Sequence, residues 1–203
     1  MKFNYYLVGS GWARLDIEIN DLKFEYWDSL SMGGSLYELL EGILVVLEVN
    51  CDFQIADLCD YIDKKLFTWV IDEEGSTVEL IFEVNKEKDK ALLKIIQHQK
   101  KDEVVFDGEI DFNKFLNDII NSCDTMLNKY GIIGYIANGL HCGDFPLTYY
   151  LILKNYLSKD KQLSMEAIFE KFGNNEKEDY LLKTNLDKEL NLIKLVVAEK
   201  NTT

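Results

Sequence analysis

The residues best equipped for chemistry lie at 141–144, where His141, Cys142, Gly143 and Asp144 follow one another. Histidine, cysteine and aspartate side chains ligate zinc, and a cysteine beside a histidine can be activated as a nucleophile. Consecutive residues point in different directions, so either chemistry needs groups from elsewhere in the chain. The only other histidine is His98. The plainer reading is a glycine-rich connection that happens to carry a polar pair.

Carboxylates supply the other candidates. Asp72, Glu73 and Glu74 could serve acid–base work or bind calcium, but they stand directly before Gly75 between two strand-like segments, the position of a solvated hairpin turn. The alternating acids and closing glutamate of a calcium loop are missing. Asp52, Asp57, Asp60 and Asp63 recur at three- to five-residue spacing and can share the outer face of a short helix, either as an ordinary wet surface or as a docking surface for a basic partner. Gly9-Ser10-Gly11 lacks the lysine and serine of a phosphate loop and reads as a turn. There is no Gly-x-Ser-x-Gly elbow, His-Glu-x-x-His or Cys-x-x-Cys. No metal site or cofactor is therefore expected, and no motif identifies a catalytic residue.

Charge narrows the partners. The 203 residues carry a net charge of −14. Residues 1–63 hold Lys2, Arg14 and Lys23 against twelve acids, a net −9, whereas residues 111–203 are close to balance at −2. Arg14 is the only arginine, and arginine is the preferred group for bidentate phosphate recognition. Nucleic-acid binding depends on cationic contacts to the backbone, so neither a nucleic acid nor an anionic membrane surface is an expected partner. A basic protein is the electrostatically favoured one.

Cys51, Cys59, Cys123 and Cys142 are scattered, with no paired spacing, and read as reduced thiols buried like small hydrophobes. No apolar run reaches the ~18 residues of a membrane span. The opening Met-Lys-Phe-Asn-Tyr-Tyr lacks the apolar stretch of a secretory signal, which points to a cytoplasmic protein.

The elements that must position these residues follow from periodicity. Phe3–Val8 reads as a strand. Leu15, Ile17 and Ile19 alternate with polar residues, Asn20-Asp21 turns, and Leu22–Tyr26 alternates again, giving a hairpin with one buried face. Ser35-Leu36-Tyr37-Glu38 has the form of a capping box, followed by Leu36, Leu39, Leu40, Ile43, Leu44 and Leu47 at helical spacing. Gly42 weakens that helix by about 1 kcal/mol but permits close packing on a sheet.

Leu66–Ile71, Thr77–Val84 and Ala91–His98 form a meander, and residues 53–65 are either a short helix or an ordered excursion. Asp111 suits the N-cap of a helix over Phe112–Tyr130, with Gly131 at its end and Asn113, Asn117, Asp118, Asn121 and Asp124 on its wet side. Pro146 opens a further helix through Leu157, and another is expected over Met165–Phe172. Trp12, Trp27 and Trp69 are core or sheet-face residues, of which an exposed one could anchor an interface. The order of elements predicts one α+β domain over 1–203: an antiparallel sheet from N-terminal hairpins and a central meander, packed by helices, with a mostly helical C-terminal part.

This succession of strands, the Ser35–Leu47 helix, the Trp69 strands, the helix ending in Tyr130-Gly131 and the following Gly134-Tyr135 resemble small uncharacterised bacterial α+β proteins of immunity-protein type over about residues 1–157. The resemblance implies no catalytic residue. It implies an inhibitor of a basic toxin, and the acidic N-terminal third is compatible with that role. The alternatives are an enzyme with a dispersed site near His141, Cys142 and Asp144, or a structural, self-associating module.

Overall fold

Strict alternation of apolar and polar residues builds the first sheet. The computed structural model describes residues 1–9, 11–30, 35–47, 65–138, 144–158, 169–170, 183–184 and 186–195. Strands β1 (Lys2–Gly9), β2 (Trp12–Ile19) and β3 (Leu22–Ser29) pair antiparallel in the order β1-β2-β3. Ala13, Leu15, Ile17 and Ile19 are buried along β2, and the residues between them face outward. Asn20, with φ 54, takes the left-handed turn position that asparagine tolerates.

Helix α1 (Ser35–Val46) packs on β4 (Leu66–Asp72), the first strand of a second antiparallel sheet. That sheet continues through β5 (Thr77–Val84), β6 (Lys90–His98) and β7 (Asp102–Asp111) in sequence order. Phe67, Trp69, Ile71, Val78, Leu80, Phe82 and Val84 are buried, as their alternation predicts. Strand β7 is an addition to the expected meander. The expected close packing at Gly42 is real: a Cβ there would lie 2.6 Å from Cδ2 of Phe67. The Phe67 ring is stacked on Phe82 at 4.6 Å and cannot easily swing aside. Overpacking costs about 1–3 kcal/mol, more than the ~1 kcal/mol of helix propensity gained. Gly42→Ala is therefore expected to destabilise the protein by about 1 kcal/mol; a raised melting temperature would show that the ring yields.

Helix α2 (Phe112–Asn138) starts where Asp111 Oδ1 accepts the Lys114 amide at 2.8 Å, the expected N-cap. Its regular path breaks at Gly131 (φ 67, ψ 177), as expected, but helical structure then resumes to Asn138. The buried stripe Phe112, Phe115, Leu116, Ile119, Ile120, Cys123 and Met126 meets the core. Phe115 contacts Phe3 at 5.1 Å and Phe82 at 4.8 Å, joining the helix to both sheets.

The wet side of α2 needs correction. Asn117 is buried and Asp118 accepts the Phe3 amide at 3.0 Å, while Ser122, not among the expected wet residues, is buried and its Oγ accepts the Tyr5 amide at 3.1 Å. Tyr130 donates to the Leu7 carbonyl at 3.4 Å. Polar groups on one flank of the helix thus close the outer edge of β1.

Backbone contacts group the chain into two compact units, Met1–Pro146 and Leu147–Thr203. The second contains α3 (Leu147–Leu157), beginning directly after Pro146, and α4 (Leu186–Lys194), whose Leu192 is buried. Lys154, fully buried on α3, donates to Tyr150 Oη at 2.8 Å and to the Ile193 carbonyl at 3.1 Å. These charge-assisted bonds compensate for its lost hydration. The helix expected over Met165–Phe172 is not formed at Phe169–Glu170. Those residues make a short strand, β8, paired with β9 (Lys183–Thr184), because a cross-strand partner supplies their backbone bonds. Among the described residues no helix is long and apolar enough to cross a membrane.

Candidate functional site

The most distinctive surface lies on the outer face of the first sheet. Cross-strand register places Tyr6 beside Arg14 and Arg14 beside Trp27, with Asp16 between Asn4 and Glu25 in the next row. These are the polar positions of each strand, yet they carry three aromatic residues once Trp12 is included. Trp12 and Trp27 meet edge to face at 6.5 Å, and Trp27 is 47% exposed.

Arg14 is fixed in the middle of this face. Its Nε donates to Asp16 Oδ1 at 2.6 Å, its Nη2 lies 2.8 Å from Glu25 Oε2, and its guanidinium carbon sits 5.9 Å from the Trp27 ring centroid. Tyr6 Oη donates to Asp16 Oδ2 at 3.0 Å. Partial burial, and then the Asp16 carboxylate, push the Tyr6 phenol above its ordinary range. In the third row Glu18 pairs with Lys23 and Lys2, which hold its carboxyl below the usual range. The result is an aromatic surface, one immobilised guanidinium and a carboxylate rim.

The turn carboxylates brace the β3 edge of this face. Asp72, Glu73 and Glu74 occupy the expected hairpin turn between β4 and β5, with Glu74 at φ 52 and Gly75 at φ 132. They are more than a solvated loop. Glu73 Oε1 accepts the Trp27 amide at 3.0 Å, and Glu74 Oε1 accepts Ser29 Oγ at 3.1 Å. The turn therefore anchors the end of β3 that carries Trp27.

The other candidates fare differently. Asp52, Asp57, Asp60 and Asp63, the expected docking row, lie outside the described residues, as do His141, Cys142 and Gly143. Asp144 is exposed in the segment before α3. His98 sits at the end of β6, where Nδ1 is 2.9 Å from Asp102 Oδ1 and Nε2 is 3.3 Å from Glu79 Oε2. The second contact lacks hydrogen-bond alignment and becomes an ion pair when the imidazole is protonated. Asp102, then Glu79, raise the imidazole pKa above its ordinary value. Cys123 is a buried thiol in the α2 stripe, in keeping with cysteine as a small hydrophobe. Among the described residues no group of three or more histidine, cysteine, aspartate or glutamate side chains is arranged to hold a metal ion.

Tyr5 and Asp28 form a titratable pair buried in the core. Tyr5 Oη donates to Asp28 Oδ2 at 2.5 Å, and Trp69 Nε1 donates to the Ser35 carbonyl and hydroxyl at 2.8 and 3.0 Å. Desolvation pushes the Asp28 carboxyl upward, opposed by the hydrogen bonds from Tyr5 and Ser35. Asp28 is 1% exposed and no substrate can reach it there, so the network holds β1, β3, α1 and β4 together.

Sequence reasoning did not single out the aromatic face as a site. The available signal was Tyr6, Trp12, Arg14 and Trp27 falling on outward positions of otherwise regular strands. No protein-family model, no curated protein and no solved structure matches this chain.

Proposed function

We propose that this chain is a non-enzymatic interaction protein, an immunity-type inhibitor that neutralises a basic toxin by docking it on the outer face of the first sheet. The supporting observation is the exposed Trp27 set among Trp12, Tyr6 and an immobilised Arg14, ringed by Asp16, Glu18 and Glu25. Tryptophan, tyrosine and arginine dominate interface hot spots because they bury much area and lose little conformational freedom. Arg14 is already held by two carboxylates and a ring, so little of its freedom remains to be lost on binding. The carboxylate rim and the net charge of −14 accelerate encounter with a cationic partner and discourage anionic ones.

The test is capture from the native host on immobilised protein at low and high salt, followed by assay of the partner's toxicity. The wild-type chain is expected to retain one stoichiometric basic protein and to abolish its activity at equimolar ratio. Trp27→Ala is expected to weaken this complex at least ~30-fold. Glu25→Lys should mainly slow association, and Glu87→Lys, on the exposed β5–β6 turn, should change neither. Absence of a stoichiometric partner at both salt concentrations, or capture indifferent to Trp27 and Glu25, would sink the proposal.

A further inference from the structure

The edges of the first sheet are closed by side chains: β1 by Asp118, Ser122 and Tyr130 from α2, and β3 by Glu73 at the Trp27 amide. In the second sheet β4 lies against α1 and β3. Strand β7 is different. It is the last strand in the order β4-β5-β6-β7, and among the described residues no hydrogen bond outside its ladder with β6 reaches its backbone before Asp111, the N-cap of α2. An unpaired edge presents a row of amides and carbonyls that templates another strand.

The side chains of β7 select what that strand can be. Asp102, Glu103, Asp107, Glu109 and Asp111 are exposed, and the strand has no cationic residue. Two of the five are met from β6, Asp102 by His98 and Glu109 by Lys90. On the same outward face, Leu92 and Val104 are each 52% exposed. A second copy of β7 laid alongside would set carboxylates against carboxylates, which is destabilising. A strand alternating cations with apolar residues would meet Asp107 and Glu109 on one face with the first and continue the Phe106–Ile110 face on the other with the second. A bulge at Val105, where the register with β6 shifts between Ile95 and Ile96, limits the regular edge to Phe106–Asp111.

We propose that β7 accepts, along Phe106–Asp111, an extended lysine- or arginine-bearing segment of a partner protein as a fifth strand of the second sheet. This mode is independent of the aromatic face: the two lie on different sheets, and either can fail without the other.

The test uses the full chain and three peptides of about eight residues. One alternates lysine and valine, one is the same peptide N-methylated at alternate amides, and one alternates glutamate and valine. Binding is followed by amide hydrogen exchange resolved by residue. The lysine peptide is expected to slow exchange at outward-facing amides within Phe106–Asp111 at least tenfold at saturation. N-methylation keeps its charge but removes half its donors, and should weaken binding at least tenfold. The glutamate peptide should not bind. The double variant Asp107→Lys, Glu109→Lys, both surface changes checked for fold by circular dichroism, should bind at least tenfold more weakly, and Trp27→Ala should bind as wild type. Equal affinity of the N-methylated peptide, protection confined to β1–β3, or no binding at millimolar concentration would each overturn the proposal.

Discussion

Phe115→Ala is expected to lower the free energy of unfolding by about 3–5 kcal/mol, the range for removing a buried phenylalanine from a core. Phe115 is fully buried, and its ring contacts Phe3 on β1, Phe82 on β5 and Phe112 on its own helix, at 5.1, 4.8 and 5.8 Å. Alanine leaves a void that would have to be filled from three elements at once, each fixed by its own ladder or helix. Collapse around it is therefore incomplete, which places the cost in the upper part of the distribution for single substitutions. Urea unfolding monitored by fluorescence checks this, with an unchanged dependence on denaturant expected. A loss below about 1 kcal/mol would mean that the aromatic cluster repacks freely, and the described joint between helix and sheets would be wrong.

Tyr5→Phe is the second large expectation. It removes one hydroxyl from the buried pair with Asp28, whose hydrogen bond is 2.5 Å long, and adds no bulk. Hydrogen bonds to charged groups contribute about 1.5–3 kcal/mol, so a loss of that order is expected at neutral pH. The effect depends on pH with a definite sign. Burial raises the Asp28 pKa above its unfolded value, so its contribution to stability is fully present below that unfolded value and is lost as pH rises through the folded pKa. The Tyr5 hydrogen bond opposes that rise, and removing it shifts the Asp28 pKa further up. The penalty of Tyr5→Phe is accordingly small where Asp28 is protonated and grows as pH rises toward neutrality. Asp28→Asn in the same chain removes the charge and should recover most of the loss, a coupling visible in a double-mutant cycle. A penalty independent of pH, or one unrelieved by Asp28→Asn, would show that the hydroxyl does not serve the carboxylate.

How much of this was legible depended on whether a residue's environment was set by its near neighbours. Alternation along Leu15–Ile19 and Thr77–Val84 and the helical stripe from Phe112 to Met126 placed the core directly, because each pattern matches the period of its own element. Gly131 was readable as a break, since glycine enters its backbone conformation without strain. Strand β7 was not readable: five carboxylates dilute its apolar content, and the extra residue at Val105 shifts its alternation midway. The roles of Asp118 and Ser122 were hidden for another reason. On a helix they look like solvent-facing polar groups, and only the approach of β1 gives them amides to accept. Phe169–Glu170 went astray because a two-residue strand is decided by its distant partner, Lys183–Thr184. As for the site, the sequence showed that acid was concentrated in the first 63 residues and that an exposed tryptophan could anchor an interface. It did not show that Trp27 and Arg14 would be neighbours, because that depends on the register between β2 and β3.

The closure of β1 by α2 also orders the birth of the molecule. Phe3 and Asp118 are 115 residues apart, Tyr5 and Ser122 are 117, and Leu7 and Tyr130 are 123. Strand β1 thus waits for at least 115 further residues before its Phe3 and Tyr5 amides find acceptors. Contacts of such long range are slow to form, and until they do the strand is open to wrong partners. The helix that seals β1 is also the one that ends this exposure.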